Sequence, residues 1–316
     1  MTMNLGEGCS TAQRVYSLAP RPQLVDNLTI LHAFRLLARV FVVGSFAVVL
    51  LVLGSLLHGY LARAWVSELR HTIKRDHTEA FHGRLGEARE FSRRAIELAQ
   101  HAGNRETAAL WQMNGALREA EFGNWQVALR GAAAALAFAS TRDVQILAAL
   151  ILAQSGDAAQ AQKMSNDLAR RYPVDTLINR YWLPTIRAAI ELDRNNAAEA
   201  IKLLQGATSY ELGSVLFTAE SAAPLHPVYV RGEAYLRLHR GKEAAAEYRK
   251  FVDHWGAVKN TPLGALARLG LARAYAMQAD SAKAHTAYQD FFTLWKDADP
   301  DIPILKQAKT EYAKLQ

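Results

Sequence analysis

The chain has 316 residues, of which 50% are hydrophobic and 21% are charged, a composition that excludes an intrinsically disordered protein. The net charge of +7 arises from 37 basic and 30 acidic residues that form no basic stripe, so we expect no nucleic-acid-binding surface. A single cysteine, Cys9, excludes an intramolecular disulfide and a CxxC metal or redox site.

Residues 1–38 form a short N-terminal segment that we expect to be poorly ordered. Next, Val40 to Leu61 contains no Asp, Glu, Lys or Arg, with Arg39 before it and Arg63 after it. As a helix this segment would cover about 30 Å, the thickness of the hydrocarbon layer of a bilayer. The sequence therefore predicts a transmembrane helix over 39–62.

Two alternatives to this anchor are a buried helix of a soluble domain and a cleaved signal peptide. The second is suggested by the A-x-A form of residues 62–64, although the apolar core is too long for a signal peptide. Basic residues flank both ends of the segment, so charge does not decide its orientation. Ser55 and Gly59 form a small-xxx-small pair that suggests pairing of two such helices, and therefore a homo-oligomer.

After residue 64 a short pattern recurs, in which a turn residue such as Gly83, Gly123 or Asn195 precedes an alanine by five positions. A looser copy begins at Arg240. We expect the turn residue to end one helix in a left-handed conformation and the alanine to lie where the next helix crosses it. Internal periods of this size indicate stacked helix pairs. The closing alanines, at intervals of 40, 33, 39, 44 and 40 residues, are Ala88, Ala128, Ala161, Ala200, Ala244 and Ala284.

Two of these copies resemble the tetratricopeptide repeat (TPR), whose pattern has a small residue, a tyrosine, an alanine and a second aromatic residue at fixed spacing. Residues 232–248 and 272–288 match it, and residues 149–173 match it in part. The resemblance implies that these positions pack helix against helix. With the closing alanines, the residues predicted for this packing are Gly232, Tyr235, Tyr248, Tyr275 and Tyr288.

Residues 206–227 interrupt the repeats without a clear helical period. They are interpreted either as a flexible insert or as a loop folded over the binding groove. The chain then ends in a predicted capping helix, which starts near Pro303. The sequence therefore predicts an all-α protein, with one transmembrane helix followed by a TPR-like solenoid of about six helix pairs over 64–316.

Segments 180–192, 228–236, 263–275 and 290–309 together resemble the carboxy-terminal repeat region of bacterial transmembrane serine/threonine kinases. In that family a cytoplasmic kinase domain precedes the membrane helix, and the repeats lie outside the membrane. Here only 39 residues precede the apolar segment, and the chain has no Gly-rich phosphate loop, His-Arg-Asp or Asp-Phe-Gly motif. The resemblance implies a bacterial inner-membrane protein with periplasmic repeats, without kinase activity.

Neither a catalytic site nor a cofactor is expected. His71, His77 and His82 lack the i, i+3 or i+4 spacing of helical metal ligands. The alternating aspartates of residues 297–301 lack the glycine and glutamate of a calcium loop.

Protein binding is the function that this sequence favours, because the first helix of each TPR pair lines a concave face that accepts a peptide or a helix. We expect a membrane-anchored scaffold or sensor module that binds peptides or proteins there. The alternatives are a signalling remnant that acts with a separate kinase or through its membrane helix, an enzyme with an unrecognised site, and a truncated product. The predicted groove residues are Met113, Asn114, Leu117, Glu121, Tyr229, Glu233, Arg237, Leu269, Arg273 and Met277.

Overall fold

A computed structural model describes residues 32, 34–37, 68, 72, 74–213 and 225–315. The chain divides into two compact units, Met1–Ala62 and Arg63–Gln316, and each is considered by itself. In the first unit, residues 32 and 34–37 are helical, and the predicted membrane segment at 40–61 lies outside the described residues. Over the described residues, no helix combines the length and hydropathy needed to cross a bilayer.

The second unit confirms the all-α class, since its described residues form helices and turns without a β-strand. A first helix, α1, covers residues 74–81. It is followed by α2 (Leu85–His101), α3 (Arg105–Glu121), α4 (Trp125–Phe138), α5 (Arg142–Gln154), α6 (Ala158–Arg171), α7 (Leu183–Asp193), α8 (Ala197–Leu204), α9 (His226–Arg237), α10 (Gly241–Asp253), α11 (Trp255–Val258), α12 (Pro262–Met277), α13 (Ser281–Leu294) and α14 (Pro303–Ala313).

The helices form an inner and an outer layer, and the sequence of each helix fits its layer. In the inner helix α5 every residue from Val144 to Ala153 is buried, so no polar stripe is needed. In its outer partner α6 only Ala161, Ser165 and Leu168 are buried, and they form one stripe at helical spacing. The pairs α3–α4, α7–α8, α9–α10 and α12–α13 pack in the same manner.

The inner helices pack in the order α3, α5, α7, α9 and α12, and α12 then packs back against α3. The second unit therefore closes into a ring. Trp295, directly after α13, donates a hydrogen bond from Nε1 to the Phe81 carbonyl at 2.9 Å. Asp299 donates from its backbone N–H to the Gly83 carbonyl at 3.0 Å and accepts one from the Gly86 N–H at 2.6 Å. These contacts join residues more than 200 positions apart in sequence.

Each pair turns through one left-handed residue placed five positions before its closing alanine. Gly83, Gly123, Gly156 and Asn195 have positive φ, as the repeat pattern predicts. The looser copy uses His239 in this role rather than Arg240, and the last copy uses Ala279; both have φ of 56°. A side chain with a Cβ is disfavoured in this conformation, so both turns carry local strain.

Replacement of Ala279 by glycine is expected to raise the free energy of unfolding by about 0.5–1 kcal/mol, because glycine adopts positive φ without a Cβ clash. Ala282→Gly is the matched control, since Ala282 is an exposed residue within α13. The control should lower stability by about 1 kcal/mol. Urea unfolding followed by circular dichroism measures both changes. If the free energy of unfolding changed in the same direction in both variants, the proposed strain at Ala279 would be contradicted.

Polar residues of the turns bind the adjacent helices in two different ways. Asp157 and Asp280 accept hydrogen bonds from the backbone N–H of the third residue after them, at 3.1 Å in each case. By contrast, the side-chain amide of Asn124 donates to Glu119 Oε2 at 2.9 Å, and Asn196 donates to Glu191 in the same way. The predicted capping role therefore applies to the aspartates but not to these asparagines.

All six closing alanines are fully buried at the crossings between the paired helices. Tyr248, which is also fully buried, lies between two glycines of inner helices. A Cβ at Gly232 in α9 would lie 2.7 Å from Tyr248 Cζ, and one at Gly270 in α12 would lie 2.5 Å from it. The aromatic ring therefore occupies the volume that side chains at these two positions would need.

The first part of the predicted insert is folded. Residues Gln205–Tyr210 form a 3₁₀ turn, and Ala207 is fully buried. Glu211 accepts a hydrogen bond at 2.6 Å from Arg231 of α9, so residues 206–213 are fixed to the helical body rather than being a flexible insert. Residues 214–224 of this predicted segment lie outside the described residues.

The last helix, α14, starts at Pro303 as predicted, and its apolar stripe faces the interior through Leu305 and Ala308. It also reaches the first repeats, because the Ile304 N–H donates to the Phe122 carbonyl at 3.3 Å. Helix α14 therefore takes part in ring closure.

Candidate protein-binding site

Four of the predicted groove residues are buried among the inner helices. Met113, Leu117 and Leu269 are 0%, 5% and 1% exposed, and Asn114 is 8% exposed. Met113 and Leu117 belong to one buried core cluster and Leu269 to another, so the chain's own side chains fill this part of the inner face. Two of the predicted groove residues reach the surface: Met277, which is 36% exposed, and Arg237.

The charged residues predicted for the groove are bound to the chain itself. Arg273 donates two hydrogen bonds to Glu311 of α14, at 2.9 and 3.1 Å. Burial opposes the charge of Arg273, but the hydrogen bonds to Glu311 together with the nearby negative charges of Glu233 and Glu311 outweigh it and raise the pKa of the guanidinium. Glu233 accepts a hydrogen bond from the Tyr248 hydroxyl. Burial raises the pKa of that hydroxyl well above its usual value, so Tyr248 remains a donor at neutral pH.

The remaining members of the predicted groove lie beside these residues. Tyr229 packs edge-on against Tyr248, with 5.7 Å between ring centroids. Arg237 donates a hydrogen bond to the Leu192 carbonyl of α7, and Glu121 lies 3.6 Å from His226 of α9. The inner polar groups thus connect neighbouring inner helices, and they stabilise the ring in this conformation.

A buried ion pair lies between α1 and α3. Arg118 Nη1 contacts both carboxylate oxygens of Asp76 at 2.7 and 2.8 Å, and Nη2 donates to Ser92 Oγ at 2.9 Å. Both charged side chains are at most 5% exposed. The pair borders a polar cavity of about 30 Å³, space for about two water molecules. The cavity is too small for a peptide, and it also contains the amide of Asn114 and the hydroxyl of Thr261.

A surface groove lies on the outer side of the ring, between α10 and α13, with α12 as its floor. We call it the outer groove. Its volume is about 580 Å³, within the range of ligand-binding clefts. Its lining consists of Arg249, Val252, Asp253, Arg268, Leu271, Tyr275, Ala282, Lys283, Thr286, Ala287 and Asp290.

Two arginines of the outer groove form no salt bridge among the described residues. Arg249 donates to the Tyr275 hydroxyl at 2.7 Å, and this bond raises the pKa of the guanidinium. Arg268 donates to the Gly264 carbonyl at 2.7 Å and lies over the Phe81 ring. Burial lowers the pKa of Arg268, against the opposing effect of the nearby Asp290 carboxylate.

A related groove lies between α2 and α4 above α3, with a volume of about 400 Å³. Its arginines are paired within the chain, since Arg89 contacts Glu119 at 2.7 Å and Arg93 pairs with Glu90 and Glu97. The outer groove therefore differs from its counterpart in that Arg249 and Arg268 form no salt bridge among the described residues.

Sequence reasoning placed the binding residues on inner helices and missed this groove. Val252, Thr286 and Asp290 belong to outer helices, where the repeat pattern specifies only the buried stripe. The sequence contained one indication of this groove: Val252 is an apolar residue of α10 that lies outside the buried stripe. Among the described residues, no three His, Cys, Asp or Glu side chains could hold a metal ion.

The comparisons with known proteins assign no family. No protein-family model matches the chain, and no curated protein matches it in sequence. The functional interpretation therefore depends on the geometry of the described ring and on the sequence patterns.

Proposed function

We propose that this chain is a membrane-anchored interaction module of the TPR type, which binds a peptide or protein partner in the outer groove. The repeated left-handed turns, the six buried alanines and the two layers of paired helices support the TPR assignment. The apolar segment at 40–61 supports the anchor, and the resemblance to the kinase repeat regions supports a periplasmic location.

The main support for this binding site is that the predicted inner residues are largely buried, whereas the outer groove is open to solvent. Val252 is 39% exposed at the rim, while Leu271 and Ala287 provide an apolar floor. Arg249 and Arg268 add charge beside this floor. Apolar anchors with a few polar contacts are typical of surfaces that bind a helix or an extended peptide.

A photo-reactive amino acid at Thr286 of the tagged full-length chain, expressed in its own cells, tests this site. Thr286 is exposed and lines the outer groove, and Ala133 on the outer side of α4 is an exposed control position outside it. Crosslinks to a defined partner are expected from Thr286 and not from Ala133. A product of twice the chain's mass would identify a second copy as the partner.

Val252→Glu should reduce this crosslink about tenfold or more, because it places a charge on the apolar rim. Val174→Glu is the control, since Val174 is 93% exposed elsewhere on the ring. Both variants should keep the wild-type melting temperature within a few degrees. Equal crosslinking by the two variants, or by positions 286 and 133, would disprove the outer groove as the binding site.

A further inference from the structure

A second groove lies between α13 and α14, and we call it the terminal groove. Its lining consists of Phe292, Trp295, Lys296, Leu305, Lys309 and Tyr312, and its volume is about 350 Å³. It shares no lining residue with the outer groove.

The floor of the terminal groove is apolar, and contacts among its side chains hold them in place. Trp295 and Leu305 are 3% and 2% exposed, so they form a fixed base. The rings of Phe292 and Tyr312 meet edge to face, with 5.4 Å between centroids. The Tyr312 hydroxyl lies 2.9 Å from His285 Nδ1, which holds that ring in place. A preformed recess of this kind binds an inserted apolar side chain with little loss of conformational entropy.

The rim of the terminal groove is positively charged. Lys296 and Lys309 line it, and Lys306 and Lys314 follow on the exposed side of α14. None of these four lysines forms a salt bridge within the part of the chain that the structure describes. The only acidic residue of α14, Glu311, is occupied by Arg273 and by the Tyr288 hydroxyl.

Several exposed cations on other outer helices, unlike these four lysines, are paired with a carboxylate close to them in sequence. Arg93 pairs with glutamates one turn away, Lys202 pairs with Glu199, and Lys283 pairs with Asp280.

The lysines of the terminal groove thus place unpaired positive charge next to an apolar recess. The carboxylates of Asp297, Asp299 and Asp301, which follow Lys296 in sequence, act on Arg84 and Arg89 at the start of α2. Unpaired positive charge of this kind attracts and orients an acidic ligand.

We propose that the terminal groove binds an acidic amphipathic segment of a partner protein. An apolar side chain of the partner would enter the recess between Phe292 and Tyr312, and carboxylates on either side of it would reach Lys296 and Lys309. An anionic membrane fits less well, because the aromatic side chains line a recess, whereas insertion into lipid requires an apolar face that projects. This proposal is independent of the outer groove.

The test uses the purified full-length chain in detergent and a fluorescein-labelled peptide with one phenylalanine, one leucine and six glutamates. A counterpart with lysine in place of each glutamate serves as the charge control. Fluorescence anisotropy should show binding of the acidic peptide only, with weaker binding as the salt concentration rises from about 0.05 M to about 0.5 M.

The double variant Lys296→Glu/Lys309→Glu should bind the acidic peptide at least about tenfold more weakly. Lys163→Glu/Lys242→Glu, at two other exposed lysines without salt bridges among the described residues, makes the same change in net charge and should bind as the wild type does. Since all four side chains are exposed, both variants should fold, and equal melting temperatures would establish this.

Three results would overturn the proposal: no binding of the acidic peptide, equal binding of the acidic and basic peptides, or an equal loss in the two double variants. Vesicles with anionic lipid provide a further comparison. Binding of these vesicles that depends on Lys296 and Lys309, without binding of the acidic peptide, would assign the groove to a lipid surface instead.

Discussion

Replacing Trp295 by alanine is expected to lower the free energy of unfolding by about 3–5 kcal/mol, the usual cost of removing a buried tryptophan. The side chain is 3% exposed, and it packs against Phe122 with 5.2 Å between ring centroids. Its indole also donates to the Phe81 carbonyl across the ring closure. The substitution therefore removes apolar contacts and leaves a partly buried carbonyl without this donor.

Trp255→Ala is the matched control, because Trp255 is 74% exposed in the short helix α11. It should change stability by less than about 0.5 kcal/mol. Urea unfolding of the full chain gives both values. A loss for Trp295→Ala no larger than that of the control would show that closure contributes little to stability.

Hydrogen exchange distinguishes ring opening from a general loss of stability. If Trp295 holds the closure, its removal should accelerate amide exchange most in α3 and α12, which pack against each other across the closure. Uniform acceleration in all helices would contradict this role. An opened ring would also expose part of the buried cluster that joins Leu269 to Phe122 and Trp295.

Arg118→Met is expected to lower the free energy of unfolding by about 3–5 kcal/mol, because it leaves the buried Asp76 carboxylate without its cation. Ser92 would also lose one of its two hydrogen bonds. The double variant Asp76→Leu/Arg118→Met should recover much of this loss, since it removes both buried charges together.

Urea unfolding of the two single variants and the double variant forms a double-mutant cycle. A coupling free energy near zero would mean that solvent reaches the pair and that it does not act as a buried ion pair. Arg93→Met is a suitable control, because Arg93 is exposed and pairs with glutamates on its own helix surface. Its expected loss is below about 1 kcal/mol.

The sequence by itself was sufficient to predict the local units of this protein. The turn residue and the alanine five positions later specify where one helix ends and where the next crosses it, and both interactions involve neighbouring residues. The alternation of fully apolar and amphipathic helices also follows from composition, as α5 and α6 show. The membrane segment and the partner remain predictions.

Only the tertiary structure decided whether the array stays open or closes. Closure depends on the small rotation of each helix pair relative to the one before it, summed over six pairs. It also depends on contacts such as that between Trp295 and Phe81, which are 214 positions apart. No local pattern encodes that sum. Met113 and Leu117 lie in a buried cluster of residues 109–190, and Leu269 lies in a second cluster that also contains Phe122 and Trp295. Packing between helices therefore buries these inner residues and leaves the grooves between outer helices accessible. The positions of the binding surfaces were therefore fixed by long-range packing, whereas the helix pairs were fixed by their own sequences.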